Sequence, residues 1–91
     1  MKILITGSAG FIGFNLCNAL LKKKFTVYGI DNFDKYYSPK YKKERIKYLN
    51  KNKNFYFYKI DITNLKQIKN FFKKFDFDII INLAAQAGVR Y

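Results

Sequence analysis

The stretch Thr6-Gly7-Ser8-Ala9-Gly10-Phe11-Ile12-Gly13 decides how this chain folds. Ahead of it, Ile3-Leu4-Ile5 is an apolar run that reads as a buried strand. Behind it, Phe14 to Leu21 has the apolar spacing of a helix. Three glycines spaced G-x-x-G-x-x-G therefore sit on a strand-to-helix turn. Gly7 permits the tight exit from the strand, at φ values other residues avoid. Gly10 has no side chain, so a ligand can approach its backbone closely. Gly13 falls in the first helical turn, where a missing Cβ lets helix and strand pack tightly. The first helical N–H groups lack intrahelical acceptors and favour an anion.

Working outward, Phe25-Thr26-Val27-Tyr28-Gly29-Ile30 reads as a second strand ending at Asp31. A glycine turn of this spacing followed by an acid at the end of the next strand fits a dinucleotide: pyrophosphate on the turn, ribose hydroxyls on the carboxylate. The alternative is a glycine-rich turn that holds no ligand.

The remaining segments repeat the pattern. The expected first helix runs from Phe11 to about Lys23, with Ile12, Leu16, Ala19 and Leu20 turned toward the sheet. The loop Asp31 to Pro39 is rich in turn formers, and a second helix runs from Pro39 or Lys40 to about Asn50. Tyr41, Arg45, Tyr48 and Leu49 give that helix a partly apolar stripe, and its outer face is basic. Phe55 to Ile60 is an aromatic-rich third strand ending at Asp61. A third helix is capped at Thr63 or Asn64, with Asn64-x-x-Gln67 as a capping-box variant and Leu65, Ile68, Phe71 and Phe72 at helical spacing. Ile79 to Leu83 is a fourth strand, apolar on consecutive residues, followed by the small-residue loop Ala84-Ala85-Gln86-Ala87-Gly88. This β-α-β-α-β-α-β order predicts an α/β fold, a Rossmann-like doubly wound parallel sheet in strand order 3-2-1-4. Its switch point lies between strands one and four, flanked by the two small-residue turns, with Asp31 and Asp61 toward one side.

Bulk properties narrow the class. The chain has 91 residues, a formal charge of +12 and 49% hydrophobic residues. No run reaches the ~18 apolar residues of a membrane span, and Met1 leads straight into the first strand, so a cytoplasmic protein without membrane contact is expected. Cys17, the single cysteine, reads as a small buried thiol rather than a nucleophile. The lysines are spread over every segment rather than gathered in a stripe, so nucleic-acid binding is not expected.

Several segments together resemble the extended short-chain dehydrogenase/reductases: T-G-S-A-G-F-I-G, I-D-N, Asp61-Ile62 and Asn82-Leu83-Ala84-Ala85. D-N-F-D-K-Y-Y-S and N-L-A-A-Q-A-G-V-R-Y resemble the nucleotide-sugar epimerase and dehydratase branch, nearest to the UDP-glucuronate 4-epimerases of capsular polysaccharide biosynthesis. The resemblance implies NAD as cofactor, a UDP-sugar as substrate and a homodimer for the intact enzyme, in which C4 is oxidised, the keto-sugar rotates and hydride returns. It implies pyrophosphate contacts from Gly7, Gly10, Phe11, Ile12 and Gly13, adenosine ribose contacts from Asp31 and Asn32, adenine contacts from Asp61 and Ile62, and nicotinamide-ribose contacts from Leu83, Ala84 and Ala85. An acid at Asp31 disfavours the 2′-phosphate of NADP. Arg90 is the candidate for a sugar diphosphate or carboxylate, or else a solvent-exposed arginine. The family's catalytic Tyr-x-x-x-Lys sits on a later helix. Tyr36-x-x-x-Lys40 has the spacing, but Pro39 and the turn-rich loop argue against it. Residues 1–91 are thus expected to be the N-terminal part of an NAD-binding domain, lacking catalytic residues and inactive alone, with no metal. A 4,6-dehydratase fragment and a non-catalytic NAD-binding regulatory module stay open as alternatives. Without a further strand, strand four is expected to be an exposed edge.

Overall fold

A computed structural model describes residues 1–33 and 39–84, and of Pro39 the backbone only. Its elements are β1 (Lys2–Thr6), α1 (Phe11–Lys22), β2 (Thr26–Asp31), α2 (Pro39–Leu49), β3 (Phe55–Lys59), α3 (Leu65–Lys74) and β4 (Ile79–Asn82). The four strands form one parallel sheet in the order β3-β2-β1-β4. This is the expected order. β1 is central, pairing Ile3 with Val27 on one side and with Ile79 on the other.

Two-residue alternation divides the core between the sheet faces. Ile3, Ile5, Val27 and Phe55 point to the face carrying α1 and α2, where they meet Cys17, Leu21, Ile46 and Leu49. Leu4, Tyr28 and Ile30 point to the opposite face and meet Phe71 of α3. There Tyr28 stacks on Tyr56 at 5.0 Å, and Phe75 and Phe77 lie 5.2 Å from its ring.

On two helices the apolar spacing places only part of the buried face: Leu16 and Leu20 of α1 pack against the core and Leu49 of α2 is buried, as expected. On α1 the buried residues are Gly13, Cys17 and Leu21, while Ile12 is 69% exposed and Ala19 is exposed as well. Gly13 must lie against the carbonyl of Gly7, and residues four and eight positions on then share its face. The buried stripe begins with small residues because the helix approaches closely. On α2, Tyr41 and Tyr48 are exposed, whereas Lys42, Ile46 and Leu49 are buried. The stripe there is apolar except at its N-terminal end, where a lysine takes the place of an aliphatic side chain.

Helix ends follow local chemistry. α1 closes with Lys24 N–H on Leu21 O and Phe25 N–H on Leu20 O, and Lys24 sits at φ +68°. That is a Schellman closure with a lysine where glycine is usual. Asn64 caps α3 by accepting from Gln67 N–H at 3.1 Å. The return bond of the capping box differs from expectation: Gln67 Oε1 accepts from Asp61 N–H, because Asn64 N–H is already bonded to Asp61 O.

β4 is an edge among the described residues, with Ile79 and Ile80 at 40% and 53% exposure. Ile81 packs against the α1–α2 core.

Candidate functional site

The site is built at the carboxyl ends of the strands, from the turn after β1. Gly7 has φ +75°, and a Cβ there would lie 2.8 Å from Ala84 N. Glycine is therefore required twice over, by the left-handed backbone and by the loop after β4. A Cβ on Gly13 would fall 2.1 Å from Gly7 O, which only glycine avoids. At Gly10 the one atom near an added Cβ is Gly7 O at 3.3 Å. The space beyond Gly10 is open, as a ligand approaching the backbone needs. Gly10 is also the N-cap of α1, and no side chain there caps the first helical turn. The amides of Phe11, Ile12 and Gly13 thus stand at a helix N-terminus that no side chain of Gly10 caps. The Phe11 and Ile12 side chains are 71% and 69% exposed.

The turn is tied to β2. Gly7 N–H and Ser8 N–H both donate to Ile30 O, at 2.8 and 3.2 Å. Ser8 is fully buried, and a Cβ on Gly29 would meet its side chain at 2.7 Å. Gly29 lies outside the G-x-x-G-x-x-G spacing but belongs to the same construction: it leaves room for the turn to lie over β2.

Thr6 ties the turn to β4. Its hydroxyl accepts from Leu83 N–H at 3.0 Å and Ala84 N–H at 3.1 Å, and is hydrogen-bonded to Asn82 Oδ1. Leu83 and Ala84 are thereby brought beside Gly7, as the switch-point topology requires. Ala85 and Arg90, the remaining candidates of this segment, lie outside the described residues, as does Tyr36.

The acidic end is more constrained than the sequence suggests. Asp31 is 6% exposed. One carboxylate oxygen accepts from Ala9 N–H at 3.1 Å, and the other from Phe33 N–H at 2.7 Å. The Lys42 ammonium lies 3.8 Å away, and Arg45 Nη1 donates to Ala9 O at 2.9 Å. Both backbone groups of Ala9 are thus held, one by Asp31 and one by α2. A carboxylate has about four acceptor positions, so two N–H bonds leave capacity for ribose hydroxyls. Asn32 is exposed beside it, and Phe33 takes φ +56°, packed 5.3 Å from Phe57.

Asp61 follows β3, and its Oδ1 accepts from the Thr63 hydroxyl and backbone N–H. These bonds hold its carboxyl below the usual carboxylate range. Ile62 is 38% exposed next to it. Cys17 lies beneath the turn, fully buried, and burial pushes its thiol up to about 12. It is a packing residue, as its helical position suggests. Among the described residues no cluster of His, Cys, Asp or Glu could hold a metal, and no helix is long and apolar enough to cross a membrane.

Residues 4–91 match the GDP-mannose 4,6 dehydratase family. The chain belongs to that family, within the extended short-chain dehydrogenase/reductases. It is 45% identical to Protein CapI of Staphylococcus aureus over 91 residues, covering all of this chain and 27% of that protein. It is 45% identical over 87 residues to the UDP-glucuronate 4-epimerase of Thermodesulfobacterium geofontis, covering 96% of this chain and 27% of the relative. Among solved structures, UDP-glucuronic acid 4-epimerase from Bacillus cereus in complex with UDP-glucuronic acid and NAD superposes with a TM-score of 0.82 at 42% identity. That match covers 99% of this chain and 28% of the epimerase. dTDP-glucose 4,6-dehydratase from Bacillus anthracis in complex with NAD gives a TM-score of 0.79 at 29% identity, over 96% of this chain and 27% of that one. The chain therefore spans 27–28% of the length of these relatives.

Proposed function

We propose that residues 1–91 are the cofactor-binding N-terminal part of an NAD-dependent nucleotide-sugar 4-epimerase of the UDP-glucuronate type. The observation that carries this reading is the glycine turn. Gly7 and Gly13 are closed by protein, an added Cβ at Gly10 meets only Gly7 O, and α1 starts at Gly10 with no side-chain cap. That combination suits a pyrophosphate, whose charge the first amides of α1 neutralise. The epimerase rather than the dehydratase reading is favoured by identity, 42% against 29% for the two solved relatives.

When bound, NAD supplies the hydride acceptor for oxidation at the sugar C4. The chain's own residues bind and orient it. Gly10, Phe11, Ile12 and Gly13 hold the pyrophosphate through backbone N–H groups. Asp31 and Asn32 stand at the adenosine ribose, with Asp61 and Ile62 beside the adenine. Leu83, Ala84 and Ala85 line the nicotinamide ribose, with the first two set in place by Thr6. Arg90 pairs with the anionic part of the UDP-sugar. None of these groups takes the C4 hydroxyl proton. The catalytic tyrosine and lysine are not among them, so residues 1–91 bind cofactor without turning over sugar.

Calorimetric titration of NAD into the purified protein tests the assignment. Saturable binding is expected in the wild type and its loss in Gly10→Val, whose side chain fills the open space beyond the turn while circular dichroism stays unchanged. Equal NAD affinity in Gly10→Val overturns the proposed site. Conversion of UDP-glucuronate by the 91 residues alone overturns the claim that they hold no catalytic group.

A further inference from the structure

Lysines spread along the sequence are gathered at one pole by the topology. In a parallel sheet with helical crossovers, each helix ends where the next strand begins. Thr26 N–H donates to Met1 O, Val27 N–H to Asn54 O and Asp78 N–H to Lys2 O, so the four strand starts lie side by side. α1 runs out into Lys22, Lys23 and Lys24, and α2 is followed by Lys51 and Lys53. α3 ends on Lys73 and Lys74, and Lys2 opens β1. All eight of these lysines are exposed. The acids in the same connections are Asp76 and Asp78, so the group carries a formal charge of +6. Asp78 is also engaged, its Oδ2 accepting from Lys2 N–H at 2.8 Å. The glycine turn lies at the other end of the strands.

We propose that this basic pole is a docking surface for an anionic lipid bilayer, which would hold the protein with the glycine turn directed away from the membrane. The three connections are short, with three residues between α1 and β2, five between α2 and β3 and four between α3 and β4. Their rings, Phe25, Phe75 and Phe77, pack against the two cores, which leaves lysine stems as the groups that reach outward. A lysine is a hydrated point charge on a flexible stem and suits a diffuse plane of negative headgroups. Nucleic acid is read by arginine forks in a groove or by exposed rings that stack on bases. Arg45 is instead committed to the glycine turn, through Ala9 O. The helices also direct their carbonyl ends to this pole, so no helix N-terminus there offers N–H groups to a discrete phosphate. Each lysine close to an anionic leaflet strengthens partitioning about fivefold. The inference does not depend on what the glycine turn binds.

The test is co-sedimentation of the protein with phosphatidylcholine vesicles containing about one-third phosphatidylglycerol, beside vesicles of phosphatidylcholine alone. Binding is expected to the anionic vesicles only, and to be lost on raising salt from about 0.1 M to about 0.5 M. The triple variant Lys22→Gln, Lys23→Gln, Lys53→Gln should bind at least about tenfold more weakly. The triple variant Lys40→Gln, Lys43→Gln, Lys66→Gln removes the same charge from the starts of α2 and α3, and should stay within about twofold of wild type. Equal losses in the two variants overturn the proposal, since net charge and not the pole would then drive binding. Equal binding to both kinds of vesicle overturns it as well. Lack of binding to anionic vesicles also overturns it, and retention on duplex DNA would then assign the pole to nucleic acid. Acetylation of the wild-type protein on and off vesicles decides the matter without any variant. Lys22, Lys23 and Lys53 should be protected by the anionic vesicles while Lys40, Lys43 and Lys66 stay reactive, and protection of the second set alone overturns the docking surface.

Discussion

The two faces of the sheet are built on different principles. The face under α1 and α2 is aliphatic and closely approached: Ile3, Ile5 and Val27 meet Cys17, Leu21, Ile46 and Leu49. It leads directly into the glycine turn, where Ser8 and Ala9 are fully buried. The face under α3 is covered by one helix among the described residues and filled by rings, with Tyr28, Tyr58, Phe71, Phe75 and Phe77 clustered together. Large aromatic side chains fill it, since each buries far more area than an aliphatic residue. Precision is concentrated where the strand ends must hold a turn to within tenths of an ångström. Bulk is enough on the other side, away from the glycine turn.

The largest expected effect falls on the aromatic face. Phe71 is 4% exposed and sits within 5.8 Å of the rings of Tyr58, Phe72, Phe75 and Phe77. Phe71→Ala should lower unfolding free energy by about 3–5 kcal/mol in urea titration. NAD affinity per folded molecule should be unchanged. A loss below about 1 kcal/mol, or a changed affinity, would break the division between the faces.

Next comes the glycine turn, where stability and binding separate by position. Gly13→Ala places a Cβ 2.1 Å from Gly7 O, a backbone atom with nowhere to go. It should cost about 1–3 kcal/mol by overpacking and abolish NAD binding at the same time. Gly10→Ala meets Gly7 O at 3.3 Å and otherwise open space, so its melting temperature should stay near wild type while NAD affinity falls. Equal melting temperatures for the two variants would show that the turn adjusts, and that the close approach of α1 is not what the turn depends on.

This contrast also explains what was legible in the sequence. Strand order and the glycine turn were readable because they follow from short-range rules: apolar runs, glycine spacing and right-handed crossovers. The faces of α1 and α2 were legible only in part, through Leu16, Leu20 and Leu49. On α1 the residues turned to the sheet include Gly13 and Cys17, which weigh little in a hydrophobic pattern, while the conspicuous Ile12 is 69% exposed. On α2 a buried lysine interrupts the stripe, and its reason lies in Asp31, outside the helix altogether. One signal was available: Ile46 and Leu49 are the only aliphatic residues of α2, and Lys42 lies four and seven positions before them. The Asp31 environment escaped for the same reason. A carboxylate at a strand end indicates that something is bound, but not that backbone N–H groups of Ala9 and Phe33 bind it first.

The smallest effect concerns how α1 is seated over the aliphatic face. Its last turn closes through Lys24 at φ +68°, and the following residue, Phe25, packs against the core formed with Cys17 and Leu21. A lysine in the left-handed region costs backbone energy that glycine does not, although glycine also gains freedom in the unfolded chain. Lys24 is exposed, so the substitution removes little packing. Lys24→Gly should therefore stabilise the protein by about 0.5–1 kcal/mol, the range of such backbone effects. Lys24→Ala should not, because it keeps the Cβ that opposes the conformation. If both variants are equally stable in urea, the chain does not hold residue 24 in the left-handed region, and α1 reaches β2 by another closure. If Lys24→Gly is the more stable, the aliphatic face carries strain at the far end of α1 from the glycine turn, where the demand for placement is least.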